Sequence, residues 1–117
     1  MSTIRDVVHA LARRPGVKAA IVLGHDGLPI DSVSANGLDP DSVAALVPPL
    51  VSACRQLGDT AACGAFTAGA VEFDDGLAVV ELLTSETLLA LVVAPGTNVG
   101  ALLYELRKHR AAIAGLL

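Results

Sequence analysis

Residues 77–83, LAVVELL, and 87–94, TLLALVVA, are mostly apolar on both alternating sets of side chains, and Thr84-Ser85-Glu86 leads from one to the other. A strand that is apolar on both faces has to be covered on both. The pair therefore demands central positions in a sheet with material packed above and below it. A third strand precedes them: ACGAFTAGAVEF, 62–73, turns at Asp74-Asp75-Gly76 into the first of the pair, making a meander.

The rest of the chain supplies two more strands and three helices. Ile4, Val7, Val8 and Leu11 recur at helical spacing, and Thr3 with Asp6 resembles a capping box, so a helix opens the chain and ends at Arg13-Arg14-Pro15-Gly16. VKAAIVLG (17–24) reads as a strand, His25-Asp26-Gly27 as its turn and LPIDSVS (28–34) as the returning strand; Pro29 and Asp31 mark that strand as an edge. A second helix opens at Asp39, a good N-cap, with Pro40 at the first helical position. Pro48-Pro49 lack the N–H groups that would bond Ala44 and Ala45, which predicts a kink or a split. The last helix runs from about Asn98 to near Gly115 and buries Leu102, Leu103, Leu106 and Ile113. The order is helix, two strands, helix, three strands, helix, within a single domain spanning 1–117.

Composition narrows the function. Aromatics make up 3% of the residues and the net charge is −4 with no basic stripe, so the chain lacks both the stacking platform and the phosphate-neutralising surface of a nucleic-acid binder. Arg107, Lys108 and Arg110 cluster near the end of the last helix, where cations complement its dipole. Arg5 and Asp6 interrupt any apolar signal-peptide core, and Pro95-Gly96-Thr97-Asn98 breaks the longest uncharged stretch; a cytoplasmic location without a membrane span is expected.

No constellation of catalytic residues stands out. APGTNVG (94–100) has neither phosphate-loop nor dinucleotide spacing, and Thr97 or Asn98 as a helix cap accounts for it, so no nucleotide or other cofactor is expected. His25-Asp26 and Asp74-Asp75 both belong to turns. Cys54 and Cys63, with His9, His25 and His109 scattered singly, match no metal spacing, and both cysteines read as buried free thiols. The chain is expected not to be an enzyme.

What the chain does have is surplus apolar surface. Val43, Leu46, Val47, Leu50, Val51, Cys54 and Leu57 form a wide stripe on the second helix, with no charge between Asp41 and Arg55. Segment 62–73 carries no charge before Glu72, whereas an unpartnered edge is usually protected by Lys, Pro or inward charges. A symmetric homodimer meets both demands if this helix and this strand share one interface. Its expected contacts are Val47, Leu50, Val51, Cys54, Phe66 and Ala68.

Three stretches carry a family resemblance: GVKAAIVLGHDGLPIDS (16–32), FDDGLAVVEL (73–82) with LLALVVAP (88–95), and NVGALLYELRK (98–108). Together they resemble the Roadblock family, small dimeric domains named for a dynein light chain and including bacterial partners of Ras-like GTPases. The resemblance implies an α/β (α+β) fold of roadblock/profilin-like form. It has a five-stranded antiparallel sheet, the second helix on one face and the first and third on the other, in the order αββαβββα. It also implies dimers that pair their third strands and pack their second helices. In function it implies a binding platform or regulator for a small Ras-like GTPase, similar to the gliding-motility GTPase-activating protein; a scaffold with no effect on nucleotide turnover is the alternative. Pro48-Pro49 is unusual for the family's second helix, and the chain reaches Leu117 without the C-terminal extension of some activating members, which favours binding over stimulation. The exposed rim expected to meet a partner is Ser52, Arg55 and Gln56.

Overall fold

The computed structural model describes residues 2–117. Its elements are α1 (Ile4–Ala12), β1 (Val17–Gly24), β2 (Pro29–Ser34), α2 (Pro40–Thr60), β3 (Ala68–Phe73), β4 (Gly76–Thr84), β5 (Thr87–Val93) and α3 (Val99–Ala114). The five strands form one antiparallel sheet in the order β2-β1-β5-β4-β3. The doubly apolar strands β4 and β5 are internal, as their pattern requires, and β2 lies at an edge.

Helix starts follow the local chemistry. Thr3 and Asp6 exchange both bonds of a capping box, Asp6 N donating to the Thr3 hydroxyl and Thr3 N to the Asp6 carboxylate. Asp39 accepts from Asp41 N ahead of Pro40, and Asn98 accepts from Ala101 N at 3.1 Å.

The sheet separates two cores. On one face Val8 and Leu11 of α1 and Leu102, Leu106 and Ile113 of α3 pack on Ala20, Val22, Val79, Leu89, Leu91 and Val93. On the other, Ala44, Val47 and Val51 of α2 pack on Ile21, Leu23, Val80, Leu88 and Ala90. Alternation along β4 produces this division: Leu77, Val79, Glu81 and Leu83 face α1 and α3, while Ala78, Val80 and Leu82 face α2.

Four expectations need correction. The Pro48-Pro49 pair does not split α2, which runs unbroken for 21 residues. Buried Val47 and Val51 anchor it to the sheet on either side of the prolines, so packing outweighs the missing bonds. The strand expected from residue 62 starts only at Ala68. Residues 61–64 instead terminate α2: Cys63 N bonds Gly58 O, and Ala62 and Gly64 take φ of 57° and 87°. That termination leaves Cys63 exposed, and Cys54 is half-buried, so neither thiol is the core group expected. Finally, Leu103 is half-buried rather than buried, because it lies on the flank of α3.

Candidate functional site

α2 leans toward β1 and β2 and away from the other half of the sheet. A Cβ placed on Gly27, in the β1–β2 turn, would lie 3.3 Å from Ala45 Cα and 3.6 Å from Pro48 Cγ. The face of β3, β4 and β5 beyond the helix is consequently uncovered. It forms a groove of about 460 Å³ lined by Leu46, Leu50, Phe73, Ala78, Val80 and Val92 among others.

The groove and the helix flank above it are apolar and face solvent. Leu46 is 72% exposed, Leu57 68% and Phe73 61%. In β3 the pairing of Val71 with Ala78 and of Phe73 with Gly76 puts both side chains on the α2 face. Among the described residues β3 is bonded to β4 alone and ends the sheet, and the only charged residue within β3 is Glu72. One flank of α2 and an unprotected strand edge thus form a continuous apolar surface. Contiguous exposed apolar area of this kind marks an interaction site.

The residues expected to form this surface do not all reach it. Val47 and Val51 are 5% and 2% exposed and occupy the chain's own core. Leu50, Cys54, Phe66 and Ala68 are half-buried, Leu50 and Phe66 packing on that same core. Leu46 and Leu57 belong to the stripe already recognised; Phe73 and Val71 were missed, and the period-2 alternation of AGAVEF, with Asp74-Asp75 as the turn, was the signal that could have found them. Ser52 and Gln56 are exposed and Arg55 half-buried. On a 3.6-residue helix Arg55 falls about half a turn from Leu46, Ser52 about a third and Gln56 about a quarter, so all three lie off the Leu46 flank.

The other singled-out groups are structural. His25 Nε2 bonds the Ser85 carbonyl at 2.5 Å and Asp26 accepts from Leu28 N at 3.0 Å, so both fasten turns. Thr97 donates to Ala94 O at 2.7 Å beside Asn98. Among the described residues, no group of three or more His, Cys, Asp or Glu could hold a metal, and no helix is long and apolar enough to cross a membrane.

One buried charge was not anticipated. Glu81 of β4 is wholly buried, and Arg110 Nε approaches its Oε1 at 3.5 Å, too far for a hydrogen bond but close enough for an ion pair. Burial pushes the Glu81 carboxyl above its ordinary value, and the charges of Arg110 and then Arg107 pull it partly back. Arg110 Nη2 also donates to Thr67 O at 3.4 Å, tying α3 to the residue just before β3. Arg110 therefore serves this contact rather than the helix dipole, and the last turn of α3 holds no basic residue.

Comparison with known proteins places the fold. A Roadblock/LC7 domain crystal structure from Streptomyces avermitilis is 26% identical, covering 96% of this chain and 95% of that one, with a TM-score of 0.83. Myxococcus xanthus MglB is 18% identical over 97% of this chain and 93% of that one, with a TM-score of 0.84. The gliding protein mglB from Thermus thermophilus is also 18% identical, over 97% and 87%, with a TM-score of 0.82. No curated protein matches in sequence. The Roadblock/LC7 domain pattern matches residues 3–93, most of the chain, and with the shared three-helix, five-strand order it shows that this chain belongs to the Roadblock/LC7 domain family.

Proposed function

We propose that the chain is a homodimeric platform that binds a small Ras-like GTPase and discriminates its nucleotide states. The observation that carries the dimer is the apolar groove of Leu46, Leu50 and Phe73 beside the free edge of β3, with exposed Leu57 further along the same helix flank. A second copy related by a two-fold axis covers it with the same surface, β3 pairing with β3 and α2 packing on α2. Leu46, Leu50, Val71 and Phe73 lie at the centre of that contact, with Cys54, Phe66 and Ala68 behind or beside it and Val47 and Val51 supporting it from the core.

The GTPase follows from the Roadblock resemblance together with what dimerisation leaves outside. Exposed Ser52 and Gln56 stay on the solvent side of the paired helices, and with half-buried Arg55 at their margin they form the partner rim. Arg55 is the only cation on α2, and arginine is enriched among interface residues that dominate affinity. The platform acts by ordering the GTPase's own catalytic groups, since it brings no phosphate-binding loop of its own.

The test has two stages. Light scattering on the wild type should give a dimer, and Leu46→Arg with Phe73→Lys should give a monomer, because like charges would be forced into an apolar contact. Both positions are exposed in the single chain, so folding is retained and checked by circular dichroism. Cognate GTPase loaded with GDP or a GTP analogue is then titrated, with single-turnover hydrolysis measured in parallel. Equal affinity for both states and an unchanged hydrolysis rate would leave a scaffold and exclude a regulator, because a partner that does not distinguish two states cannot shift between them.

A further inference from the structure

The opposite face of the sheet carries a second groove, between α1 and α3. α1 lies over β1 and β2 while α3 lies over β4, so the two helices stand apart. The space between them is about 540 Å³, with Val7, Ala10 and Leu11 on one wall and Leu106, Ile113 and Leu116 on the other. Two polar groups at its edge, Arg14 and Glu105, form an ion pair with each other. Ser2 and His109 are the remaining polar residues in the lining.

The surrounding charge is strongly one-signed. Seven of the eight Lys and Arg residues lie on α1, on the turn and strand start after it, or on α3, and Arg55 is the exception. The same segments hold only Asp6 and Glu105 of the twelve acids, and Glu81, which faces this layer from β4, pairs with Arg110. Arg13, Arg107 and Lys108 are exposed. The layer around the apolar groove is therefore positive, although the chain as a whole is negative.

We propose that the α1–α3 groove docks an amphipathic helix of a partner protein whose apolar stripe enters the groove and whose flanks are acidic. A small-molecule ligand would need convergent polar groups to orient it, and the two charges in the lining are spent on each other. A flat membrane surface would not reach the groove floor, where Leu11, Leu106 and Ile113 are each under a tenth exposed. A helix presents apolar anchors at i, i+3, i+4 and i+7 that can enter such a groove, and acidic flanks complement Arg13 beside the α1 wall and Lys108 beside the α3 wall. This surface lies across the sheet from the proposed dimer and GTPase face, so its occupancy does not depend on that reading.

A fluorescent synthetic helix of roughly 15 residues, with Leu at the anchor positions and Glu on both flanks, serves as the probe in anisotropy titrations against the full chain. Micromolar binding that weakens as salt rises is expected. Ala112→Trp, at an exposed position in the lining, should weaken it at least about tenfold, and Lys108→Glu should weaken it and flatten its salt dependence. Amide chemical shifts induced by the peptide should map to α1 and α3. Equal binding of a Lys-flanked peptide, unchanged binding by Ala112→Trp, or shifts confined to α2 would overturn the proposal. So would a failure of the probe to bind while the protein sediments with vesicles of mixed phosphatidylcholine and phosphatidylserine, which would assign the face to a membrane.

Discussion

Replacing Arg110 by Ala leaves Glu81 as a buried carboxylate with no opposing charge in contact. Glu81 is fully buried, whereas the Arg110 side chain is 33% exposed, so the two partners respond differently to removal. Breaking a buried pair costs about 3–5 kcal/mol when a charge is stranded. Arg110 is partly solvated and protonation of Glu81 limits the loss, so the lower end, about 3 kcal/mol, is expected. In a domain of this size that lowers Tm by roughly 10 °C. Glu81→Leu removes the charge that needs compensation and should be neutral or slightly stabilising. The double variant Glu81→Leu/Arg110→Ala should then recover most of what Arg110→Ala loses. The sign of the pH effect follows from the direction of the shift. Because the folded-state pKa of Glu81 is raised, its contribution is fully present below the ordinary glutamate value and is lost as pH rises through the folded value. Arg110→Ala should accordingly be more damaging at pH 8 than at pH 5. Urea unfolding followed by circular dichroism, at one protein concentration so that association is held constant, measures all four chains. A cost for Arg110→Ala below about 0.5 kcal/mol at pH 8, or no recovery in the double variant, would refute a stranded-charge origin.

Pro49 is exposed within α2, so Pro49→Ala restores a helical N–H without disturbing the core and should raise stability by on the order of 1–3 kcal/mol in the same unfolding assay. Gly27 has φ +80° and sits against Ala44 and Ala45; Gly27→Ala should cost about 2 kcal/mol, and a neutral result would show that the β1–β2 turn relaxes freely. Asp39 is held below the ordinary aspartate range by the Ser42 hydroxyl and then by Asp41 N–H. Its contribution is therefore present above the ordinary value and lost as pH falls through the lowered one, and Asp39→Asn should flatten the acid limb of a plot of Tm against pH.

The architecture was legible wherever one segment's pattern answered to one physical demand. β4 and β5 are apolar on both faces and became the centre of the sheet; Asp26-Gly27 and Asp74-Asp75-Gly76 became its turns; Thr3, Asp39 and Asn98 became helix caps. Errors arose where two segments compete for the same residues. Residues 61–67 have the apolar character of a strand, but α2 extends to Thr60 and its free carbonyls capture Ala61, Ala62 and Cys63. Pro48-Pro49 opposes the helix locally, yet the decisive energy lies in burial of Val47 and Val51 against strands far away in the chain.

The candidate site was legible in kind and not in detail, for a geometric reason. A wide apolar stripe says that α2 needs more than one surface to cover it, but the sequence does not say which part of the stripe faces the sheet. That choice depends on where the helix sits across the strands. Gly27 permits the placement seen here, by allowing Ala44, Ala45 and Pro48 to close on the β1–β2 turn. With α2 over β1 and β2, Val47 and Val51 face inward, Leu46 lines the uncovered half of the sheet together with Phe73, and Leu57 stays exposed further along the same flank. The glycine that permits close packing inside the chain thus also bears on which leucines remain exposed. A Cβ at position 27 would lie 3.3 Å from Ala45 Cα, a contact that α2 relieves by backing off the β1–β2 turn by a small fraction of an ångström. If the proposed dimer forms through this face, Gly27→Ala should weaken it modestly in addition to destabilising the fold, and analytical ultracentrifugation over a concentration series separates the two effects.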